Sequence, residues 1–546
     1  MKSKLSQFCL TLFNISFLIS LSTSLSPYDI STICNNTPYS TFCKTLLLNY
    51  PHAKTIQDCG RYCMTESLSK ANDFRSLVNK HLQYSQSTSN NPALKDCQIL
   101  ASRNIDFLNT ASDTVKLTSA VSRDTTDSTL TMLSAVMTNL GTCSDGLQEA
   151  QTSPIVARDL TPHFTNDTML YSVSLAIFTH GWASKYITNN YPFKGIINPI
   201  CLPLNLGPFL KDKNWKRLFY ELGLCGVKVN DMVIVNSDGS GDFTTITEAV
   251  TSAPSNSQVN SGYYGIYVVS GIYEENVEIP SSKNYVLMVG DGINQTIITG
   301  NRSVGANWTT FNSATFAVSG TGFIGVDLTF QNTAGAIMHQ AVAVRNGADL
   351  SAFYRCSFEG YQDTLYTHSM RQFYKNCDIY GTVDFIFGNA AVVFQDCNIY
   401  PRQPLKGQFN AITAQGREDP NQNTGTSIHH CIIQPTSDLA SSNFTVQTYL
   451  GRPWKAYSRT VFMQSFMDSF INPDGWHEWD GSFALDTLYY AEFDNNGLGS
   501  DISNRVTWSG YHVIDATNAT KFTVSNFIMG DSWLPSTGVP YNGGLY

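Results

Sequence analysis

The stretch FYRCSFEGYQDTLYTHSMRQFYKNCDIYGTVDFIFGNAAVVFQDCNI, residues 353–399, decides the fold. Within it the segments FYRCSF from Phe353, FYKNCDI from Phe373 and VFQDCNI from Val393 place Cys356, Cys377 and Cys397 at steps of 21 and 20 residues. A strand recurring at that period is what a solenoid requires, each turn adding one strand to a parallel sheet. Leucine-rich repeats share the period but need a Leu framework that is absent. The expected architecture is therefore an all-β right-handed parallel β-helix.

The same repeat carries chemistry. Asp363 lies seven residues after Cys356 and Asp384 seven after Cys377, so the two aspartates hold equivalent places on successive coils. Strands of neighbouring coils are about 4.8 Å apart, which brings the carboxylates face to face and puts Cys356 and Cys377 within disulfide range. Two carboxylates roughly 6 Å apart at an effective dielectric near 20 repel by about 3 kcal/mol, on the order of two pKa units. One is expected to stay protonated while the other ionises, the split that an acid and nucleophile pair needs.

Outward from this core the texture holds from Asp231 to Tyr546, with short Val, Ile, Phe and Tyr runs broken by Gly, Asn and Asp. Upstream it changes. Leu94, Cys97, Ala101, Ile105, Leu108, Ala111 and Val115 follow one another at steps of three and four, which marks one face of a helix. Leu133, Val136, Leu140 and Cys143 repeat the pattern, as do Leu170, Val173 and Ile177. An all-α helix-bundle domain over 26–184 is expected, with Cys97 and Cys143 tying two helices and Cys34 and Cys43 closing a small hairpin. Between 185 and 230 the periodicity lapses and Pro192, Pro199, Pro203 and Pro208 accumulate, which reads as a linker before a β-helix domain at 231–546.

Lys2 and Lys4 precede an apolar run from Phe8 to Leu21, the shape of a signal peptide over 1–25. Asn166, Asn294, Asn301, Asn307, Asn443 and Asn518 each stand two positions before Ser or Thr, so export with glycosylation is expected. Thirteen Cys, one of them Cys9 inside the signal, leave an even number for an oxidising compartment. No Cys or His spacing reads as a zinc site, and no metal or cofactor is expected. Adjacent His429 and His430 would point to opposite faces of a strand, and no G-x-S-x-G elbow supplies a serine nucleophile.

Residues 1–230 carry 20 Lys and Arg against 15 Asp and Glu, a net +5, whereas 231–546 carry 14 against 28, a net −14. The acidic part argues against nucleic acid as a partner. After removal of the signal no membrane association is expected.

The second part resembles plant pectin methylesterases over nearly its whole length. The resemblance runs through DGSGDFTTITEAV from Asp238, GIYEENV from Gly271, HQAVAVR from His339, GYQDTLY from Gly360, GTVDFIFGNAAVVFQ from Gly381, ITAQGREDPNQNTG from Ile412 and LGRPWKAYSRTV from Leu450. It implies hydrolysis of the methyl esters of homogalacturonan to methanol and demethylated pectin in the plant cell wall. By the same resemblance Asp384 is the nucleophile, Asp363 the proton donor and later base, and Gln362 and Gln340 the donors to the oxyanion. Arg452 would pair with Asp384, holding it ionised and oriented. Thr310 and Trp454 are the substrate contacts that the resemblance implies, and Tyr366, Phe387 and Trp476 are expected either beside them along the groove or as aromatics of the core. A polysaccharide hydrolase or lyase on the same solenoid is the competing enzyme reading, and a wall-binding protein with a decayed module the non-enzymatic one.

The first part resembles plant invertase and pectin methylesterase inhibitors through TPYSTF between Cys34 and Cys43, ALKDC at Cys97 and GTCSDG at Cys143. The net +5 of residues 1–230 beside an acidic catalytic domain is compatible with intramolecular masking, and a spacer or folding-aid role fits equally. Cys59, Cys63, Cys201 and Cys225 have no assigned partner. Relatives carry a dibasic site in the linker. Here Lys216, Arg217, Leu218 and Phe219 are the nearest equivalent, a candidate site for a processing protease.

Overall fold

The computed structural model describes residues 27–85, 91–116, 120–150, 153–183, 196–197 and 227–546. The signal stretch 1–25, the dibasic-like site at 216–219, Cys201 and Cys225 lie outside the described residues.

Six helices come first: α1 (Pro27–Cys34), α2 (Ser40–Leu48), α3 (Ile56–Ser85), α4 (Pro92–Val115), α5 (Arg123–Glu149) and α6 (Pro154–Phe178). Local chemistry sets their starts. Asn91 accepts a hydrogen bond from the Leu94 amide, with Pro92 in the first turn of α4, and Ser122 accepts from the Thr125 amide at the start of α5. The stripe from Leu94 to Val115 is buried with its counterparts on α5 and α6. Two expected disulfides are present. Cys34–Cys43 joins α1 to α2, and Cys97–Cys143 staples α4 to α5. Cys59 and Cys63 are free thiols buried beside the first of these.

From Val229 onward the chain winds into a right-handed parallel β-helix of three parallel sheets, with 8, 7 and 11 strands. The repeat segments are one rung of it. Strands Ser351–Tyr354, Arg371–Lys375 and Ala391–Gln395 stack in register, as do Ser357–Glu359, Asp378–Gly381 and Asn398–Pro401 after the next corner. That corner is made each time by one residue in the left-handed region: Arg355, Asn376 and Asp396, continued by His430, Gln464 and Asp494. Inside the coil Phe353, Tyr374 and Phe394 stack ring on ring, with centroids 5.2 and 4.7 Å apart. His429 is buried and His430 points outward.

The Cys356–Cys377 disulfide is a correction, because both are free. The register does place them side by side, continued by Cys397 and Cys431. In parallel strands, however, the Cβ atoms project alongside one another at the strand spacing of about 4.8 Å, wider than the roughly 3.8 Å that a disulfide needs. Each thiol instead hydrogen-bonds to the backbone. Cys377 Sγ donates to the carbonyls of Lys375 (3.4 Å) and Phe353 (3.5 Å), Cys397 Sγ to that of Tyr374 and Cys431 Sγ to that of Phe394, each at 3.5 Å.

Candidate active site

Asp363 and Asp384 stand in the turns that leave the sheet of Ser357–Glu359 and Asp378–Gly381. Glu359 pairs with Tyr380 before the turn and Leu365 with Ile386 after it, so the aspartates occupy matching places one coil apart. The Asp363 amide donates to the Val383 carbonyl (3.1 Å), which locks the two turns together. Both aspartates are left-handed, with φ of 64° and 52°, a conformation that Asp adopts more readily than most side chains. Each turn opens with a glycine. At Gly381 a Cβ would stand 2.2 Å from that of Phe385, so the tight return depends on the missing side chain.

Arg452 reaches Asp384 from the end of strand Thr448–Gly451. Its Nε and Nη2 donate to Oδ1 (2.8 Å) and Oδ2 (2.6 Å), a two-bond fork that fixes the carboxylate plane. Burial, more than any other influence, pushes the Asp363 carboxyl well above the usual range. The neighbouring Asp384 and then Glu149 add to the push, and Arg452 opposes it. Gln362 and Gln340 line the same cavity, and among the described residues neither side-chain amide has a hydrogen-bond partner. Their backbones are held: the Ala341 amide donates to the Gln362 carbonyl (3.2 Å) and the Val304 amide to that of Gln340 (2.9 Å).

The cavity measures about 280 Å³ and is walled by Phe311, Tyr366, Phe387, Trp454 and Trp479. Tyr366 stacks on Phe387 with centroids 4.2 Å apart. Trp454 lies against the backbone of Gly416, where a Cβ would meet its ring at 2.8 Å. Thr310 also lines the cavity. Trp476 does not. It is 1% exposed, donates to Glu492 (3.3 Å) and stacks on Tyr490, so it is a core residue and its expected substrate contact is withdrawn. Trp479, three residues on and 36% exposed, lines the cavity instead, 4.3 Å from the Arg452 guanidinium.

The helical domain supplies the remaining wall through Thr142, Asp145, Gly146 and Glu149 of α5. Glu149 accepts from the Thr310 amide (2.8 Å) and hydroxyl (2.6 Å). Asp145 accepts from Lys455 (2.9 and 3.1 Å), and Asp127 from Arg371 (2.9 Å). Asp96 of α4 accepts from Thr309 (2.5 Å) and from Asn312. Arg103 donates to the Gly347 carbonyl (2.7 Å), and Thr142 hydrogen-bonds to the buried His368 (3.0 Å). Apolar packing is continuous across the contact, with Tyr366, Phe387 and Phe311 in one cluster with the core of the bundle. At this contact acids of the helical domain meet cations of the β-helix part, Asp145 facing Lys455 and Asp127 facing Arg371.

A family model described as pectinesterase matches residues 232–531, and one described as plant invertase/pectin methylesterase inhibitor matches 28–177. The chain is 52% identical to a probable pectinesterase/pectinesterase inhibitor of Arabidopsis thaliana, covering 94% of each chain, and 43% identical to pectinesterase 2 of Citrus sinensis, covering 95% and 96%. Among solved structures it matches the pectin methylesterase from carrot, at 56% identity and a TM-score of 0.56, over 57% of this chain and 98% of that one. The carrot enzyme is thus folded without the helical part. The chain belongs to the pectinesterase family, as a carboxylic ester hydrolase behind an inhibitor-like helical domain.

Proposed function

We propose that Asp384 and Asp363 carry out hydrolysis of homogalacturonan methyl esters through a covalent intermediate. The Asp384 carboxylate attacks the ester carbonyl carbon, and the C–O bond to the methoxy group breaks to leave an acyl-enzyme anhydride. Asp363 gives its proton to the departing oxygen, which leaves as methanol. The Asp363 carboxylate then takes a proton from water, whose oxygen attacks the anhydride and releases the polymer carboxylate and Asp384. Gln362 and Gln340 donate to the oxyanion at both stages, roughly 3 kcal/mol for a well-placed donor. The observation that carries this reading is the unequal pair: a carboxyl that burial pushes well above its usual range beside one whose two oxygens both accept from Arg452.

Methanol release from methylated pectin by the isolated β-helix domain, compared with its Asp384→Asn variant, tests it. Loss of at least about 10³-fold is expected. A variant within tenfold of the parent sinks the nucleophile assignment, and shortening of the polymer without methanol sinks the esterase reading.

The helical domain, in the same reading, masks the site. A cavity of about 280 Å³ closed by α5 is at the small end for even one small ligand, and a polymer has to pass through the cleft. If an excess of separated helical domain leaves the β-helix domain fully active, the domain is a spacer or folding aid instead. Secretion to the plant cell wall is part of the proposal. Five of the six glycosylation acceptors are exposed and Asn518 is half-buried, and no described helix is long and apolar enough to cross a membrane. Mass spectrometry of the secreted protein locates both the glycans and any cut at 216–219.

A further inference from the structure

We propose that Phe409 and His477, which do not line the cavity, are positioning residues for the reaction: they set a fixed ring against the Arg452 guanidinium and so hold the plane of the Asp384 carboxylate. This rests on the esterase reading above and adds to it a support for the nucleophile.

The fork between Arg452 and Asp384 fixes each group only relative to the other. Nε and Nη2 both donate to Asp384, and among the described residues the guanidinium has no third hydrogen-bond partner. The Arg452 amide donates to the Thr413 carbonyl (3.0 Å), but a stem of several rotatable bonds separates that anchor from the charged plane. Aromatic rings supply the missing constraint. Cζ of Arg452 lies 4.3 Å from the ring centre of Trp479 and 5.3 Å from that of Phe409, both within the range at which a cation is drawn to an aromatic face.

Trp479 is the more exposed of the two and forms part of the cavity wall. Phe409 is the braced one. It immediately precedes strand Asn410–Gln415 and is half-buried. His477 stacks on it with ring centres 4.3 Å and planes 16° apart. Tyr449 stands nearly perpendicular to both, 5.7 Å from Phe409 and 4.7 Å from His477. His477 is itself held twice: its amide donates to the Gly451 carbonyl (3.0 Å), directly before Arg452, and Nδ1–H donates to the Glu478 carbonyl (2.6 Å). Asn472 donates to the Tyr449 hydroxyl (3.3 Å). Three segments of chain thus build one wedge whose leading ring is turned to Arg452. An aliphatic side chain of similar bulk would fill the space, but it offers a cation no negative face and a guanidinium no flat plate.

The carrot relative shows that a β-helix domain without the helical part folds, so residues 227–546 are the protein to test. kcat and KM for methanol release from methylated pectin are measured for Phe409→Leu and His477→Leu, for the ring-keeping Phe409→Tyr and His477→Phe, and for Phe409→Leu combined with Arg452→Lys. Phe409→Leu is expected to lower kcat about fivefold, the size of one cation–ring contact, and His477→Leu about threefold, with KM within about twofold of the parent. The ring-keeping variants are expected to hold kcat within about twofold. In the Arg452→Lys background no fork is left to orient, so Phe409→Leu should cost no more than about a further 1.5-fold. The inference is overturned if Phe409→Leu costs as much in that background as in the parent, if the loss falls on KM instead of kcat, or if the ring-keeping variants lose as much as the Leu variants. Should Phe409→Leu fail to fold, the two His477 variants decide: His477→Leu at the parental kcat, or no better than matched by His477→Phe, overturns it. Absence of methanol from the parent would instead overturn the esterase reading.

Discussion

The hold of the helical domain on the cleft is expected to weaken as pH rises from about 4 to 7. Asp96 is buried in the contact, where Thr309 and Asn312 donate to it, and burial lifts its carboxyl to about 7 against the help of Thr309 and Arg345. Glu418, under Asp145 and Lys455, is likewise lifted to about 7 by burial, with Lys455 opposing and Asp145 adding. Apart, the groups return toward 3.8 and 4.5. Both therefore hold a proton more tightly in the docked form, so docking takes up protons. The stabilisation is complete below pH about 4 and lost as pH climbs to about 7. At 1.36 kcal/mol per pKa unit this is on the order of 4 kcal/mol for Asp96 and 3 kcal/mol for Glu418. The assay is calorimetric titration of separated domains 27–183 and 227–546 from pH 4.5 to 7.5. The Kd is expected to rise roughly a hundredfold or more, with proton uptake visible as a dependence on buffer ionisation heat. Asp96→Asn, which fixes the neutral form, should tighten binding at pH 7.5 and remove about one proton from the linkage. A Kd that stays flat or falls with pH refutes the reasoning.

Arg452→Lys keeps the charge but replaces the two-bond fork on Asp384 with a single point contact, so kcat should fall by roughly 10–100-fold in the methanol assay while KM moves less. Glu149→Gln in the full-length protein replaces one of the two charged acceptors that hold Thr310. About a tenfold gain in activity over the parent full-length protein is expected, and no gain counts against masking. Cys97→Ser removes the staple that closes 46 residues between α4 and α5. The helical domain should lose about 4 kcal/mol, read from urea unfolding.

Much of the fold was legible because a solenoid writes its geometry as a period. Steps of 21 and 20 residues between Cys356, Cys377 and Cys397 correspond to the observed stacking of Ser357, Asp378 and Asn398, and the aspartates inherit that register. Spacing reports adjacency but not where Cβ points, so it does not tell side-by-side thiols at Cys356 and Cys377 from a disulfide. It is equally silent in loops. Trp476 and Trp479 lie three apart in one irregular segment, and only packing on Tyr490 assigns the first to the core. Asp145 and Glu149 look in sequence like acids on the wet face of a helix. Their partners Lys455 and Thr310 are 310 and 161 residues away, a separation that no local pattern encodes.

Charge totals misdirect for a related reason. A net of −14 on the β-helix part says that its far field repels a polyanion, yet Arg452 and Thr310 line the cleft with the reacting pair, and Lys455 stands against Trp454 in its wall. Beyond a Debye length of about 8 Å the far field is screened, so recognition falls to these local donors. A cleft that recognises acids with a few short-range donors is open to any rigid element carrying acids at the right interval. The bundle meets that condition with one turn of α5. Masking in this reading is a property of these local donors, and the Glu149→Gln variant tests it at the one carboxylate that Thr310 holds with two bonds.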